Sequence, residues 1–310
     1  MEEAPLFADI ASGPPGGSAM WRTAGDGVRL RIGHWPSDGG KGTILLFPGR
    51  TEYIEKYGIT AADFAAQGYD TLTIDWRGQG LADRALNDAM SGHVARFADY
   101  QSDVIAMQEV AEALDLPRPW HLLAHSMGGC IGMRAAIEGL PVASCAFSAP
   151  MWGIAMKPAL RPVAWSLSWA SRPLGLGRFY APGTVRGSYV LEAPFEANAL
   201  TRDKAMHAHM VAQLRAYPQL ALGGPSLTWL FAALRECRSL ARMPSPDLPC
   251  LTLVGGDEDI VSRAPIDARM AHWPGARLET IRGGRHELLM DTNATRRHVT
   301  RLLTAFWDRA

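Results

Sequence analysis

Long apolar runs are missing from this sequence. Stretches such as Ser226–Leu234 fall far short of the roughly 18 residues that a membrane-crossing helix needs. Cysteine is also scarce. The four present, Cys130, Cys145, Cys237 and Cys250, show no CxxC spacing. That excludes a dense disulfide framework or a zinc ribbon, and the four read as reduced core thiols. No excess of one charge exists either, since 31 basic residues face 31 acidic ones. A nucleic-acid partner therefore has no whole-chain electrostatic support and none is expected. The opening MEEAPLFADIASGPPGG starts acidic and builds no apolar signal core. The expected location is cytoplasmic, with peripheral contact at the inner face of the membrane left open. No internal repeat or low-complexity tract is found.

What is present is 310 residues with 47% hydrophobic and 20% charged side chains, enough for a large buried core. Short apolar runs that end in glycine or proline read as buried strands at 42–49, 69–80, 120–126, 142–150, 249–261 and 276–286. Stretches with helical spacing lie between them, at 53–68, 97–116 and 127–139, and a last helix follows Thr292 or Asn293 as N-cap. Apolar strands alternating with helices predict an α/β fold, a doubly wound, mostly parallel sheet covered on both faces. The alternation breaks over 151–245, which is rich in tryptophan and proline. We read this interval as a helical cap inserted into a catalytic domain formed by 1–150 and 246–310. It carries 11 basic and 4 acidic residues, a net +7 that leaves the rest of the chain at −7.

The chemistry centres on WHLLAHSMGGC, residues 120–130. An apolar strand stops at Ser126 and a helix follows at once. Such a strand–turn–helix forces the serine to positive φ and lifts its Oγ above the sheet. The positions two before and two after must be small, and here they are Ala124 and Gly128. The alternative for Ser126 is a helix N-cap. A base is offered by His286, in a glycine-flanked loop after the last strand. An acid is offered by Asp257, Glu258 or Asp259, after the strand before it. Serine, acid, histidine is the chain order of hydrolase triads built on such sheets. The backbone N–H of Met127 and that of Arg50, in the loop after 43–47, are the candidate oxyanion donors.

Taken together, FPGRTEYIEKY, DWRGQG, AHSMGG, PFEANALT, GGPSLTW and GGRHE resemble bacterial lysophospholipases of the α/β-hydrolase fold, a group similar to the monoacylglycerol lipases. The resemblance runs from about Gly42 to the end. It implies Ser126 as nucleophile, His286 as base, and Arg50 and Met127 as oxyanion donors. The family places its acid two residues before an aliphatic pair, here Ile260-Val261, and so implies Glu258. Ala124 stands where most relatives have glycine, and Pro48 where many have histidine.

The expected activity is two-step acyl transfer on a single-chain lipid ester, by resemblance a lysophospholipid, with no metal or organic cofactor. A monoacylglycerol lipase or general carboxylesterase is the alternative, and a non-catalytic binding protein on the same fold a remote one. His207 and His209, two apart on a helix, do not converge as metal ligands. The RGQG at 77–80 lacks the lysine of a phosphate loop and reads as a tight turn. The tryptophans of the insertion read either as core or as acyl-chain lining and interface anchors.

Overall fold

The structure, a computed structural model, describes residues 2–310. Its nine strands are β1 (Glu2–Glu3), β2 (Ser18–Thr23), β3 (Arg29–Trp35), β4 (Thr43–Phe47), β5 (Asp70–Asp75), β6 (Trp120–His125), β7 (Ser144–Ser148), β8 (Cys250–Gly255) and β9 (Arg277–Ile281). They form one sheet in the order β1-β2-β3-β5-β4-β6-β7-β8-β9. From β5 to β9 every pairing is parallel, while β1, β2 and β3 add antiparallel strands at one edge. The fold is that of an α/β-hydrolase. The three edge strands were not expected from the sequence, because their apolar pattern is broken by Arg22, Arg29 and Arg31.

Alternate residues of the central strands point to opposite faces, and both faces are buried. Leu45, Phe47, Leu122, Ala124 and Phe147 enter one core. Ile44, Leu46, Leu123, Ala146 and Leu251 enter the other. The covering helices follow from their own patterns. In Tyr100–Ala113, Val104, Met107, Val110 and Ala111 fall on one side and are buried. Asn293–Trp307 begins at Thr292, whose hydroxyl accepts from the Thr295 N–H at 3.2 Å, and it buries Val299, Leu303, Phe306 and Trp307.

Between β7 and β8 the chain forms helices at Leu160–Ser171, Tyr189–Glu192, Lys204–Ala216 and Leu227–Leu240. Leu227–Leu240 sends Trp229, Ala232, Ala233, Cys237 and Leu240 into the same core as the helix Met127–Ile137. Leu160–Ser171 packs outside it and leaves Leu160, Val163, Leu167 and Trp169 exposed. Among the described residues no helix is long and apolar enough to cross a membrane.

From β4 the chain crosses to β5 on one side and later returns to β6 on the other. The carboxyl ends of β4 and β6 therefore face a crevice, where ligands of doubly wound sheets bind.

Candidate active site

Ser126 follows β6 directly and has φ 50° and ψ −117°. A non-glycine residue held there stores strain, and the surroundings over-determine it. Its N–H donates to Ser148 O at 3.1 Å, and its carbonyl accepts from Gly129 and Met151 at 2.9 and 2.8 Å. Gly128 lies against the carbonyls of Phe47 and Pro48, so closely that no Cβ would fit. At the other small position Ala124 is tolerated, because its methyl faces Gly132. The serine is not a helix cap, since its side chain accepts no bond from the helix.

His286 reaches this turn from the loop after β9. Its Nε2 lies 2.9 Å from Ser126 Oγ, and its Nδ1 lies 2.8 Å from Glu258 Oε2. The other carboxylate oxygen, Glu258 Oε1, accepts the N–H groups of Ile260 and Val261 at 2.7 and 3.0 Å. Burial pushes the Glu258 carboxyl up, but the bond to His286, its charge and the two amides more than offset this. The group titrates below the ordinary carboxylate range. Asp257 turns outward to pair with Arg202. Among the described residues Asp259 forms no ion pair. The three adjacent acids are thus separated by their partners.

Arg50 lies in the loop that leaves β4. The N–H groups beside its own are engaged: Gly49 N donates to the Glu52 carboxylate, and Thr51 N donates to Gln79 Oε1 at 3.1 Å. The Arg50 and Met127 N–H groups have no protein acceptor among the described residues. Gln79 Nε2 also donates to Gly49 O at 2.9 Å. The RGQG turn thus holds the Arg50 loop, a role that sequence reading missed because the turn carries no reactive group. The Arg50 guanidinium donates to Gly223 O at 2.8 Å and lies 5.7 Å from the Trp229 ring. Burial lowers its pKa to about 10, which leaves it charged at neutral pH.

Ser126 and His286 open onto a cavity of about 660 Å³. Arg50 and Lys56 line it, together with Val185, Tyr189, Val190, Met210 and Leu214 from the β7–β8 segment. The lining thus mixes polar and apolar side chains. His207 and His209 lie on Lys204–Ala216 and do not converge: His207 packs on Phe195, while His209 faces Gln213.

An elbow serine against an imidazole and a carboxylate, at the crevice of a doubly wound sheet, defines the class of α/β serine hydrolases. Residues 39–293 match the family described as serine aminopeptidase, S33, and the chain belongs to that family. It is 32% identical over 265 residues to the probable lysophospholipase L2 of Haemophilus influenzae, covering 85% of this chain and 82% of that protein. It is 30% identical to the lysophospholipase L2 of Escherichia coli K12, covering 98% and 92%. A solved monoglyceride lipase of Saccharomyces cerevisiae shares the fold at TM-score 0.72 and 19% identity, over 93% and 94% of the two chains. A carboxyl esterase of Bacillus coagulans does so at TM-score 0.71 and 14% identity, over 94% and 98%. The chain is accordingly an enzyme, a lysophospholipase-like carboxylic ester hydrolase.

Proposed function

We propose that this enzyme is a lysophospholipase that cleaves single-chain lipid esters through Ser126, His286 and Glu258. The observation that carries the reading is the unbroken hydrogen-bonded line from Ser126 Oγ through His286 to Glu258, with Ser126 at positive φ. Ser126 Oγ attacks the ester carbonyl while His286 Nε2 takes its proton. Glu258 holds the Nδ1–H tautomer and stabilises the imidazolium that forms. The oxyanion accepts from the N–H groups of Arg50 and Met127. His286 then protonates the leaving alcohol, and water repeats the sequence on the acyl-enzyme. These steps use only side chains, two amides and water.

The lipid substrate is supported by the relatives named lysophospholipase L2 and by the half-apolar cavity, which suits an acyl chain. A phosphate is suited by Arg50, whose guanidinium has no carboxylate partner among the described residues. Monoacylglycerol is the second reading, favoured by the likeness to monoglyceride lipases. We further propose that 151–245 acts as a cap over the site. Its exposed apolar side chains would touch the inner face of the membrane from the cytoplasm.

A fluorophosphonate should label Ser126, and Ser126→Ala should lower kcat by about 10⁴–10⁶-fold while the protein stays folded. Labelling elsewhere, or near-normal turnover by that variant, rejects the triad. Rates on lysophosphatidylcholine and monoacylglycerol of equal chain length then separate the two substrate readings.

A further inference from the structure

Beside Ser126 and His286, and bordering the same cavity through Glu52, Lys56 and Glu287, lie four charged side chains that acyl transfer does not use. Lys56 Nζ donates to Glu52 Oε1 at 2.6 Å and to Glu287 Oε1 at 2.7 Å. His125 Nε2 stands 3.5 Å from Glu52 Oε1 and 3.4 Å from Glu287 Oε2. Its Nδ1 lies 3.0 Å from the carbonyl of Ser148. No side chain of the four is more than 5% exposed.

Chemistry fixes the charge of this group. Ser148 O only accepts, so His125 Nδ1 carries a proton. The oxygens nearest Nε2 are those of two carboxylates bonded by Lys56; at 3.5 and 3.4 Å they form no hydrogen bond with Nε2, and they favour a proton there through their charge. His125 is then an imidazolium, and two cations balance two anions. Burial pushes the His125 imidazole down, but Glu287 and Glu52 more than offset it and hold it above the usual histidine range. Burial likewise disfavours the Glu287 carboxylate, yet Lys56 and His125 hold it well below the usual carboxylate range. Glu52, His125 and Glu287 also bring possible ligand atoms within 4.8 Å of one another. The Lys56 ammonium already stands between the two carboxylates, so the cation of this site is its own.

The position of each member in the chain is informative. Glu52 follows Arg50 by two residues and accepts from Gly49 N and Tyr57 Oη. His125 immediately precedes Ser126, and its ring centroid is 4.8 Å from that of His286. Glu287 immediately follows His286. Three loops that arise from β4, β6 and β9 are thereby joined at one buried point. Burying four charges is a weak route to stability, because apolar residues of similar volume usually serve as well or better. A fixed geometry is what such a cluster supplies in their place.

We propose that Glu52, Lys56, His125 and Glu287 are positioning residues, a charge-balanced clasp that holds the Arg50 loop, the Ser126 turn and the His286 loop in mutual register. The inference rests on the roles proposed for Ser126, His286 and Arg50. Lys56 is the centre of the clasp and touches two of its members. The charged and titratable groups facing it are Glu52, Glu287 and Tyr57, with His125 beyond the two carboxylates. Loss of its ammonium unbalances the group by one negative charge close to His286. That favours the imidazolium of His286, so the acid limb of kcat/KM should move to higher pH.

The test first labels wild-type enzyme with a fluorophosphonate. Failure to label Ser126 sinks the triad itself, and the clasp is judged only on labelled enzyme. Three variants are then compared on one monoacyl ester, with near-ultraviolet circular dichroism as the check on folding. Lys56→Met should lower kcat about 10–100-fold with KM within about twofold, as small misplacements of reacting groups do. Its acid limb should shift upward. Lys56→Arg keeps the charge and should keep the limb in place with most of kcat. The double variant Lys56→Met, Glu287→Gln restores charge balance, so it should fold even if Lys56→Met does not. Its acid limb should return toward the wild-type position while kcat stays low, because the link between loops is still gone. The limb reports the charge balance of the group, and kcat of the folded, charge-balanced double variant reports the positioning, which a purely structural role would leave at the wild-type value. Wild-type kcat in the folded double variant, or an unmoved limb in folded Lys56→Met, overturns the proposal. Failure of Lys56→Arg and the double variant alike to fold would also overturn it, since the cluster would then serve stability.

Discussion

Glu258 and His286 meet at 2.8 Å, while Asp257, beside Glu258 in sequence, is turned away onto Arg202. The loop after β8 makes this choice, because Ile260 and Val261 fold back to donate both N–H groups to Glu258 Oε1. That leaves Oε2 aimed at the imidazole. Glu258→Gln should cost about 10⁴-fold in kcat, as loss of the orienting acid costs other triads. Asp257→Asn and Asp259→Asn should each cost less than about tenfold, since an exposed pair contributes little. Steady-state rates on one ester decide it. A mild Glu258→Gln beside a crippling aspartate change would assign the acid to the other residue.

Gly128 leads to a second expectation. A Cβ there would strike the carbonyls of Phe47 and Pro48, which are backbone and cannot rotate aside as a side chain would. Gly128→Ala should therefore push the β4 loop away from the elbow. Overpacking of this kind costs roughly 1–3 kcal/mol, and kcat should fall further than that loss of stability explains. Ala124→Gly only removes a methyl that faces Gly132 and should change kcat less than about threefold. Denaturant midpoints and rates for the two variants test both statements. Equal behaviour of the pair would show that closeness of strand and helix does not set the elbow.

The parts legible in the sequence were those where local pattern and tertiary role agree. Strands β4 to β8 announce themselves because each is buried on both faces, while β9, which buries only Ile281, is marked by the glycine turn that follows it. The elbow is legible because small residues must flank a serine squeezed between strand and helix. Strands β2 and β3 were missed for an opposite reason. Arg31 is fully buried, donating to Asp75 at 2.7 Å and to Glu55 at 2.7 and 2.8 Å. A charge compensated by distant residues looks like surface in one dimension. Glu52, Lys56, His125 and Glu287 hid in the same way. Each sits beside a motif residue, and that adjacency was the only signal of them.

Acid should destabilise the fold partly through His121. This residue of β6 is buried, with Nδ1 2.8 Å from Ser144 Oγ and Nε2 without a partner. Burial lowers its pKa to about 4, from the ordinary histidine value of about 6.5, against an opposing push from Asp308. Between those values the unfolded chain binds a proton that the folded chain refuses. Stability supplied by the neutral ring is therefore full above about pH 6.5 and drains away as pH falls toward about 4. His121→Gln keeps a polar side chain and removes the titration. Its denaturant midpoint should fall less steeply than that of wild type over this window. Parallel slopes would mean that His121 is not the group concerned.

The outer face of the β7–β8 segment leads to the last expectation. Val163, Trp169, Leu174 and Phe179 are each more than half exposed, an arrangement with no benefit in water alone. A surface groove of about 720 Å³ beside them is lined by Trp165, Trp169 and Phe231 together with Arg235, Arg238 and Arg242. Neither these arginines nor Arg161 and Arg172 form a salt bridge among the described residues; Arg172 instead lies 4.9 Å from the Phe231 ring. The −7 remainder of the chain therefore does not neutralise them. Aromatic rings with unpaired guanidinium groups suit the boundary between acyl chains and anionic headgroups. Each basic residue near such a surface adds on the order of 1 kcal/mol, and less as salt screens it. The enzyme should sediment with phosphatidylglycerol vesicles at low salt and release partly at physiological salt. The Arg161→Glu, Arg172→Glu variant should bind more weakly at both, with its rate on a short-chain soluble ester unchanged. Sedimentation that ignores both salt and the substitutions, or none at low salt, would rule out membrane contact by this segment.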